Sequence, residues 1–218
     1  MSKSETENSR AQEARAEGFS AAVAALKRGE VIAFPTETLY GLGADALDAA
    51  AVERVFQLKG RDSNSPIPVL VANREMLARL VAEVSPLAEQ LIARFWPGPL
   101  TIVLPARRDI PRPLVNATGG IGVRLSSQPI ATKLVEAVAR PLTATSVNPS
   151  GRPPARTAEQ AKQYFAGRVD VFVEGGELTS RTGSTVVEVT GDAIRIIRGG
   201  DISKSQLEAA LGAGRIVP

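Results

Sequence analysis

Neither cysteine nor histidine occurs among the 218 residues of this chain. Disulfides, thiolate nucleophiles, Cys/His zinc sites and every Ser–His or Cys–His catalytic pair are thereby excluded. What remains for chemistry is carboxylate, lysine, arginine, hydroxyl and amide, with a hard divalent cation arriving on a substrate phosphate. Aromatic residues make up only 4% of the chain, too few to furnish a stacking platform for single-stranded RNA. A pI near 9.5 leaves nucleic acid open as a partner, yet no basic run exceeds Arg107-Arg108. No run of about 18 apolar residues is present and the opening residues hold no apolar signal core, so a cytoplasmic protein without a membrane partner is expected. The phosphate loops Gly-x4-Gly-Lys-Ser/Thr and Gly-x-Gly-x2-Gly are both missing, which disfavours ordinary kinase and dinucleotide folds.

What is present suits one well-buried soluble domain: 44% hydrophobic and 22% charged residues, with a net charge of +3 that permits an anionic ligand without requiring one. Residues 1–17 are polar without apolar periodicity, and are expected to form a flexible tail or an extension of the first helix. Residues 18–218 form the folded body. Phe19, Val23 and Leu26 space one helical stripe that Gly29 ends, and Val31 to Phe34 reads as a strand. Asp48 caps a helix carrying Val52, Val55, Phe56 and Leu58 and ending near Gly60. Asn73 and Ser85 cap two more, the latter followed by Pro86 at the first helical position. Strands are predicted at 67–71, 100–104, 122–125, 141–145, 169–173, 185–189 and 194–197, and a helix over 130–139. Thr157 to Gln160 and Ser203 to Gln206 read as capping boxes. Helices and strands alternate early while strands cluster late, which predicts an α/β domain: one twisted, mixed sheet with helices packed on it.

Six groups of residues carry candidate chemistry. The run 34–43, Phe-Pro-Thr-Glu-Thr-Leu-Tyr-Gly-Leu-Gly, follows a strand and is too rich in polar side chains for a plain turn. Gly41 and Gly43 there permit close backbone approach or a positive φ. That run is read as one wall of a ligand site, and Glu37, its single carboxylate, as an organiser of the wall rather than a general base. Lys59-Gly60-Arg61 either offsets a helix dipole or binds triphosphate, lysine as a compact charge and arginine as a two-pronged fork. Ser146 and Asn148, two residues apart in an extended segment, either hold phosphate or sugar oxygens or belong to an Asn-Pro-Ser-Gly turn. Arg124, between apolar neighbours on a strand, is a structural ion pair or a clamp for a substrate carboxylate. Gly183-Ser184 and Arg198-Gly199-Gly200 place polar groups at strand ends, where turn and cap roles also apply. Phe95-Trp96-Pro97-Gly98-Pro99-Leu100-Thr101 is read as a packing corner.

In order and spacing these segments, from about Ala25 to Ser203, resemble the YrdC-like family of threonylcarbamoyl-AMP synthases, in its short single-domain form. Any one motif could arise by chance; the ordered set is highly specific. The resemblance implies a twisted α/β domain with a concave, positively charged pocket. It implies a nucleotidyltransferase that makes L-threonylcarbamoyladenylate and pyrophosphate from L-threonine, bicarbonate and ATP, the first step of threonylcarbamoyladenosine modification of tRNA. By the same resemblance Lys59, Arg61, Ser65, Ser146, Asn148 and Arg198 face ATP, Lys59 and Arg61 being catalytic, while Thr36, Thr38, Arg124 and Ser184 surround threonine. Mg2+ comes with ATP, and no residue is assigned to hold a metal.

Asp62 stands where the family often has proline, Ser65 where it often has lysine or another polar residue, Val147 where alanine is usual, and Gly199 where proline commonly follows arginine. Asp62 adds negative charge beside Arg61, and Val147 could crowd the nucleotide. Downstream tRNA-modifying transferase proteins are possible partners, and no element that reads tRNA specifically is evident. The competing expectation is a double-stranded RNA or ribosome-associated binding module using the same basic concave face.

Overall fold

The computed structural model describes residues 3–60, 66–212 and 214–218. Helix α1 (Lys3–Lys27) continues as helical backbone through residues 3–17, and buries Ala22, Ala25 and Leu26. Strands β1 (Ile32–Pro35) and β2 (Tyr40–Gly43) form an antiparallel hairpin with Pro35 opposite Tyr40. The run 34–43 is therefore mostly buried strand around a four-residue turn. Neither Gly41 nor Gly43 has positive φ. Their missing side chains make room for the Phe34 ring, which a Cβ on Gly43 would meet at 2.6 Å.

Helix α2 (Ala49–Lys59) begins at Asp48, whose side chain accepts from the amides of Ala50 and Ala51, and stops at Gly60. Gly60 has φ 57°, a left-handed conformation that glycine adopts without a Cβ penalty. Strand β3 (Val69–Leu70) and helices α3 (Arg74–Ala78) and α4 (Pro86–Phe95) follow, the helices capped by Asn73 and Ser85. Trp96 donates from Nε1 to the Leu100 carbonyl at 2.7 Å, fixing the entry into β4 (Leu100–Pro105) and bearing out the packing-corner reading. Next come β5 (Gly120–Arg124) and α5 (Pro129–Val138), then β6 (Leu142–Thr143), β7 (Thr145–Ser146), α6 (Ala158–Phe165) and β8 (Val171–Phe172). The chain finishes through β9 (Thr185–Thr190), β10 (Ala193–Arg198), α7 (Lys204–Leu211) and β11 (Ile216–Val217). Ser203 and Gln206 make the expected reciprocal box. At α6 only half of one forms: Thr157 caps the Gln160 amide, but the Gln160 side chain accepts from Arg156 N instead.

The strands divide between two mixed sheets rather than one. The smaller runs β7-β2-β1-β8 and the larger β11-β10-β9-β4-β5-β3-β6. The split falls inside the run predicted as one strand over 141–145. Thr143 lies in the large sheet and Thr145 in the small one, with the Ala144 amide turned to the Pro68 carbonyl at 2.8 Å. Thr143 Oγ1 ties the crossing down by accepting from Ala44 N and donating to the Leu42 carbonyl. The core contains Ile32, Phe34, Leu42, Leu70, Leu91, Ile102 and Phe165, all essentially inaccessible. Each such side chain contributes about 1.5–3 kcal/mol of transfer free energy. No helix among the described residues is long and apolar enough to cross a membrane.

Candidate functional site

A cavity of about 380 Å³ opens between the two sheets. Alternation along the strands of the large sheet decides what forms its floor. On β5 Ile121 and Val123 point into the core, while Gly120, Gly122 and Arg124 face the cavity. On β4 Thr101 and Val103 face it, and on the β9 side Ser184 and Val186 do so. β10, β9, β4 and β5 are neighbours in that order, and Ser184, just before β9, meets Thr101 and Arg198 through its side chain, so Arg198, Ser184, Thr101 and Arg124 make a polar row across the floor. The opposite wall is the β1–β2 turn with Thr36 and Thr38, beside Ser146 of β7.

Arg124 is 4% exposed. Its Nη1 donates to Glu37 Oε1 at 2.8 Å and to Thr38 Oγ1 at 3.3 Å. Glu37 takes a second, short hydrogen bond from Ser126 Oγ. Burial pulls the Arg124 pKa down from the ordinary arginine value, and the Glu37 charge and hydrogen bond oppose that. Glu37 thus organises the wall by holding Arg124. Both contacts leave from Nη1, and among the described residues Nε and Nη2 donate to nothing. The arginine is thus anchored at one nitrogen and borders the cavity with the rest of its guanidinium. Thr36 lines the cavity, but its hydroxyl is occupied in building the turn. It donates to the Leu39 carbonyl at 2.7 Å and accepts from the Thr38 and Leu39 amides.

The second polar group centres on Lys59, 4% exposed at the end of α2. Its Nζ donates to the Ser146 carbonyl at 2.6 Å, to Asn148 Oδ1 at 2.7 Å and more distantly to Ser146 Oγ. Asn148 Nδ2 in turn donates to the Arg152 carbonyl. Lys59 and Asn148 therefore sit behind Ser146, bracing it, whereas Ser146 itself lines the cavity. The turn reading applies to Asn148, which knits the turn, while Ser146 faces the cavity. Val147 is fully buried and absent from the cavity wall, so it crowds no ligand there. Arg61 and Ser65, with Asp62, lie outside the described residues.

Arg198 closes the row from β10, its Nη2 donating to the Ser184 carbonyl at 2.8 Å and to Ser184 Oγ at 3.2 Å. Of the residues expected at the site, Thr36, Thr38, Arg124, Ser146, Ser184 and Arg198 share one cavity, and Lys59 and Asn148 buttress it. Two residues of the local network escaped sequence reasoning. Ser126 lies two positions after Arg124, and Thr101 is a polar residue alternating with Leu100 and Ile102. A polar side chain breaking an apolar strand run was the available signal for Thr101.

Gly200 allows this corner to close. A Cβ there would lie 2.4 Å from the Ser184 carbonyl carbon and 2.5 Å from both Gly183 O and Thr185 N, all backbone atoms. Gly200→Ala is expected to cost about 1–3 kcal/mol, as overpacking does. Gly199→Ala, whose Cβ meets nothing within 4 Å, is expected to fall within about 0.5 kcal/mol of the parent. Denaturant midpoints of the two variants check this, and equal midpoints would refute the close-packing account.

Three comparisons accord with this architecture. The Sua5_yciO_yrdC family model, described as telomere recombination, matches residues 24–200. The threonylcarbamoyl-AMP synthase of Pyrococcus abyssi is 39% identical over 193 residues, 88% of this chain and 57% of that protein. The chain therefore spans little more than half of that relative. The threonylcarbamoyl-AMP synthase of Thiobacillus denitrificans is 39% identical over 171 residues, 78% of this chain and 90% of its own length. A solved structure of P. abyssi Sua5 complexed with L-threonine superposes with a TM-score of 0.87 at 38% identity, covering 94% of this chain and 60% of that one. With a family model over most of its length and a near full-length relative well above 30% identity, the chain belongs to the Sua5/YciO/YrdC family.

Proposed function

We propose that this protein is an L-threonylcarbamoyladenylate synthase, converting L-threonine, bicarbonate and ATP to L-threonylcarbamoyladenylate, pyrophosphate and water. The observation that carries the reading is the placement of two arginines, Arg124 and Arg198, on one cavity floor with Lys59 bracing the opposite wall. The reaction must bring an N-carboxylated threonine against the α-phosphorus of ATP while both are anionic, and mutual repulsion is its main obstacle. Cations in a partly closed cavity offset that repulsion. Orientation supplies up to ~7–11 kcal/mol of the barrier reduction in well-aligned cases. The carbamate oxygen forms the new bond to the α-phosphorus as the bond to pyrophosphate breaks, so no enzyme nucleophile is needed. That suits a chain without histidine or cysteine.

In this reading Arg124, with Thr38, Ser184 and nearby Thr36, receives threonine, its carboxylate meeting the free edge of the Arg124 guanidinium. Ser146 and Arg198 face ATP, with Lys59 and Asn148 holding Ser146 in place; Arg61 and Ser65 are assigned to ATP by the family resemblance alone. The cavity's donor set is hydroxyls, amides and guanidinium groups, and its neighbouring carboxylate, Glu37, is committed to Arg124 and Ser126. Such a set does not fit a protein-held Mg2+; it fits one carried in by the triphosphate. We assign the catalytic body to residues 18–218 and the reaction to the cytoplasm, where product would pass to tRNA-modifying transferase proteins.

The test is pyrophosphate release by purified protein given MgATP and bicarbonate, with and without L-threonine. Release that requires threonine is the expected result. Release indifferent to threonine, or none with all substrates present, would overturn the assignment.

A further inference from the structure

The cavity floor contains a hydroxyl pair with one hydrogen too many. Thr101 Oγ1 and Ser184 Oγ lie 2.9 Å apart, and Ser184 Oγ also accepts from Arg198 Nη2 at 3.2 Å. Neither hydroxyl has a further hydrogen-bond partner among the described residues. Two O–H groups share one contact, so only one hydrogen lies between the oxygens and the other must aim elsewhere. Thr101 is 0% exposed and Ser184 6%. Thr101 borders the cavity but is covered, so if Ser184 donated to Thr101, the Thr101 hydrogen would have no acceptor among the described residues. The satisfied arrangement has Thr101 donating to Ser184. Ser184 Oγ then accepts from Thr101 and Arg198, both its lone pairs are used, and its own hydrogen points into the cavity.

We infer that Thr101 is a positioning residue that turns the Ser184 hydroxyl into a one-directional donor for an anionic oxygen of the amino-acid substrate. The inference rests on the proposed reaction for the identity of that substrate. Sheet register supports the choice of ligand. β4 and β5 pair Ile102 with Val123, and continuing that antiparallel register by one residue sets Thr101 opposite Arg124. Thr101 therefore stands beside the arginine whose free edge suits a carboxylate, with the Ser184 donor 2.9 Å beyond it and Arg198 behind that. The anion is held by an arginine on one side and an oriented hydroxyl on the other, and Thr101, its hydrogen committed to Ser184, donates nothing to it.

Thr101→Val preserves the shape of the side chain and removes the donated hydrogen, freeing Ser184 to rotate. The dissociation constant for L-threonine, measured by calorimetry, is expected to rise about tenfold, as for loss of one hydrogen bond to a charged group. The KM for ATP should stay within about twofold, and Thr101→Ser should restore threonine binding. Because Thr101 acts through Ser184, Thr101→Val should add nothing in a Ser184→Ala background. An unchanged threonine affinity in Thr101→Val, or a penalty of equal size without the Ser184 hydroxyl, would overturn the inference. A separate observable needs no substrate. The buried Thr101 hydroxyl proton should give a slowly exchanging NMR resonance in the parent protein that Ser184→Ala abolishes. If the parent bound no threonine, the functional reading and the ligand named here would both fall, while this resonance would still decide the hydroxyl pair.

Discussion

Arg124→Ala is expected to raise the KM for threonine by about a hundredfold, within the 2–5 kcal/mol range for truncating one member of a buried, hydrogen-bonded charge pair. The size follows from the surroundings. The guanidinium is almost wholly buried, anchored through Nη1 by Glu37 and Thr38, and faces the cavity with its remaining donors. Removing it also leaves the Glu37 carboxylate, only 14% exposed, without its cation, and breaking a buried pair costs on the order of 3–5 kcal/mol. Alanine therefore attacks binding and stability together, and Arg124→Lys separates them. Lysine retains a positive charge for Glu37 but cannot hold Glu37 along one edge and a carboxylate along the other. The lysine variant should melt near the parent and still show a large rise in threonine KM, with ATP KM little changed. Threonine titrations of pyrophosphate release, run beside thermal melts, provide the measurement. A folded Arg124→Lys protein with parental threonine KM would remove Arg124 from the substrate site.

Lys59→Met should lower kcat/KM for ATP by roughly 10²–10³, the effect typical of deleting one preorganised charged donor. Methionine retains the aliphatic stem packed at the end of α2, so what is lost is the ammonium. That ammonium donates to the Ser146 carbonyl and Asn148 Oδ1 at 2.6 and 2.7 Å. With it go one positive charge beside the cavity and the brace that aims Ser146 inward. Threonine binding in the absence of nucleotide should survive, because Arg124, Thr38 and Ser184 belong to a separate network. Initial rates over an ATP series and calorimetric titration with threonine distinguish the two sides. Parental kcat/KM for ATP in a folded Lys59→Met protein would end the assignment of Lys59 to nucleotide.

The pieces of the site were legible because each motif combines a strand end with residues whose chemistry is unusual there: an arginine among apolar neighbours, a lysine at a helix end followed by glycine, a Ser-x-Asn after a β-branched run. Helix caps at Asp48, Asn73, Ser85 and Ser203 were equally readable, since a cap is a contact between residues two or three apart in sequence. Strand β2 was missed because Tyr40–Gly43 alternates large residues with glycine. Phe34 fills the space above those glycines from the neighbouring strand, and no local pattern reports that.

By itself the sequence determined which reactions were closed to this protein, where most helices begin, which residue types could hold anions, and that its ordered motifs resemble one family. Those properties are local or compositional. Tertiary structure alone decided that there are two sheets, that Arg198, Ser184, Thr101 and Arg124 lie in one row, that Glu37 anchors Arg124, and that Lys59 braces Ser146 from behind. Each depends on strand order, register and side-chain alternation between segments tens of residues apart. Hydrogen bonding between strands sets those relations, and residues adjacent in sequence carry no record of which distant strand will pair beside them.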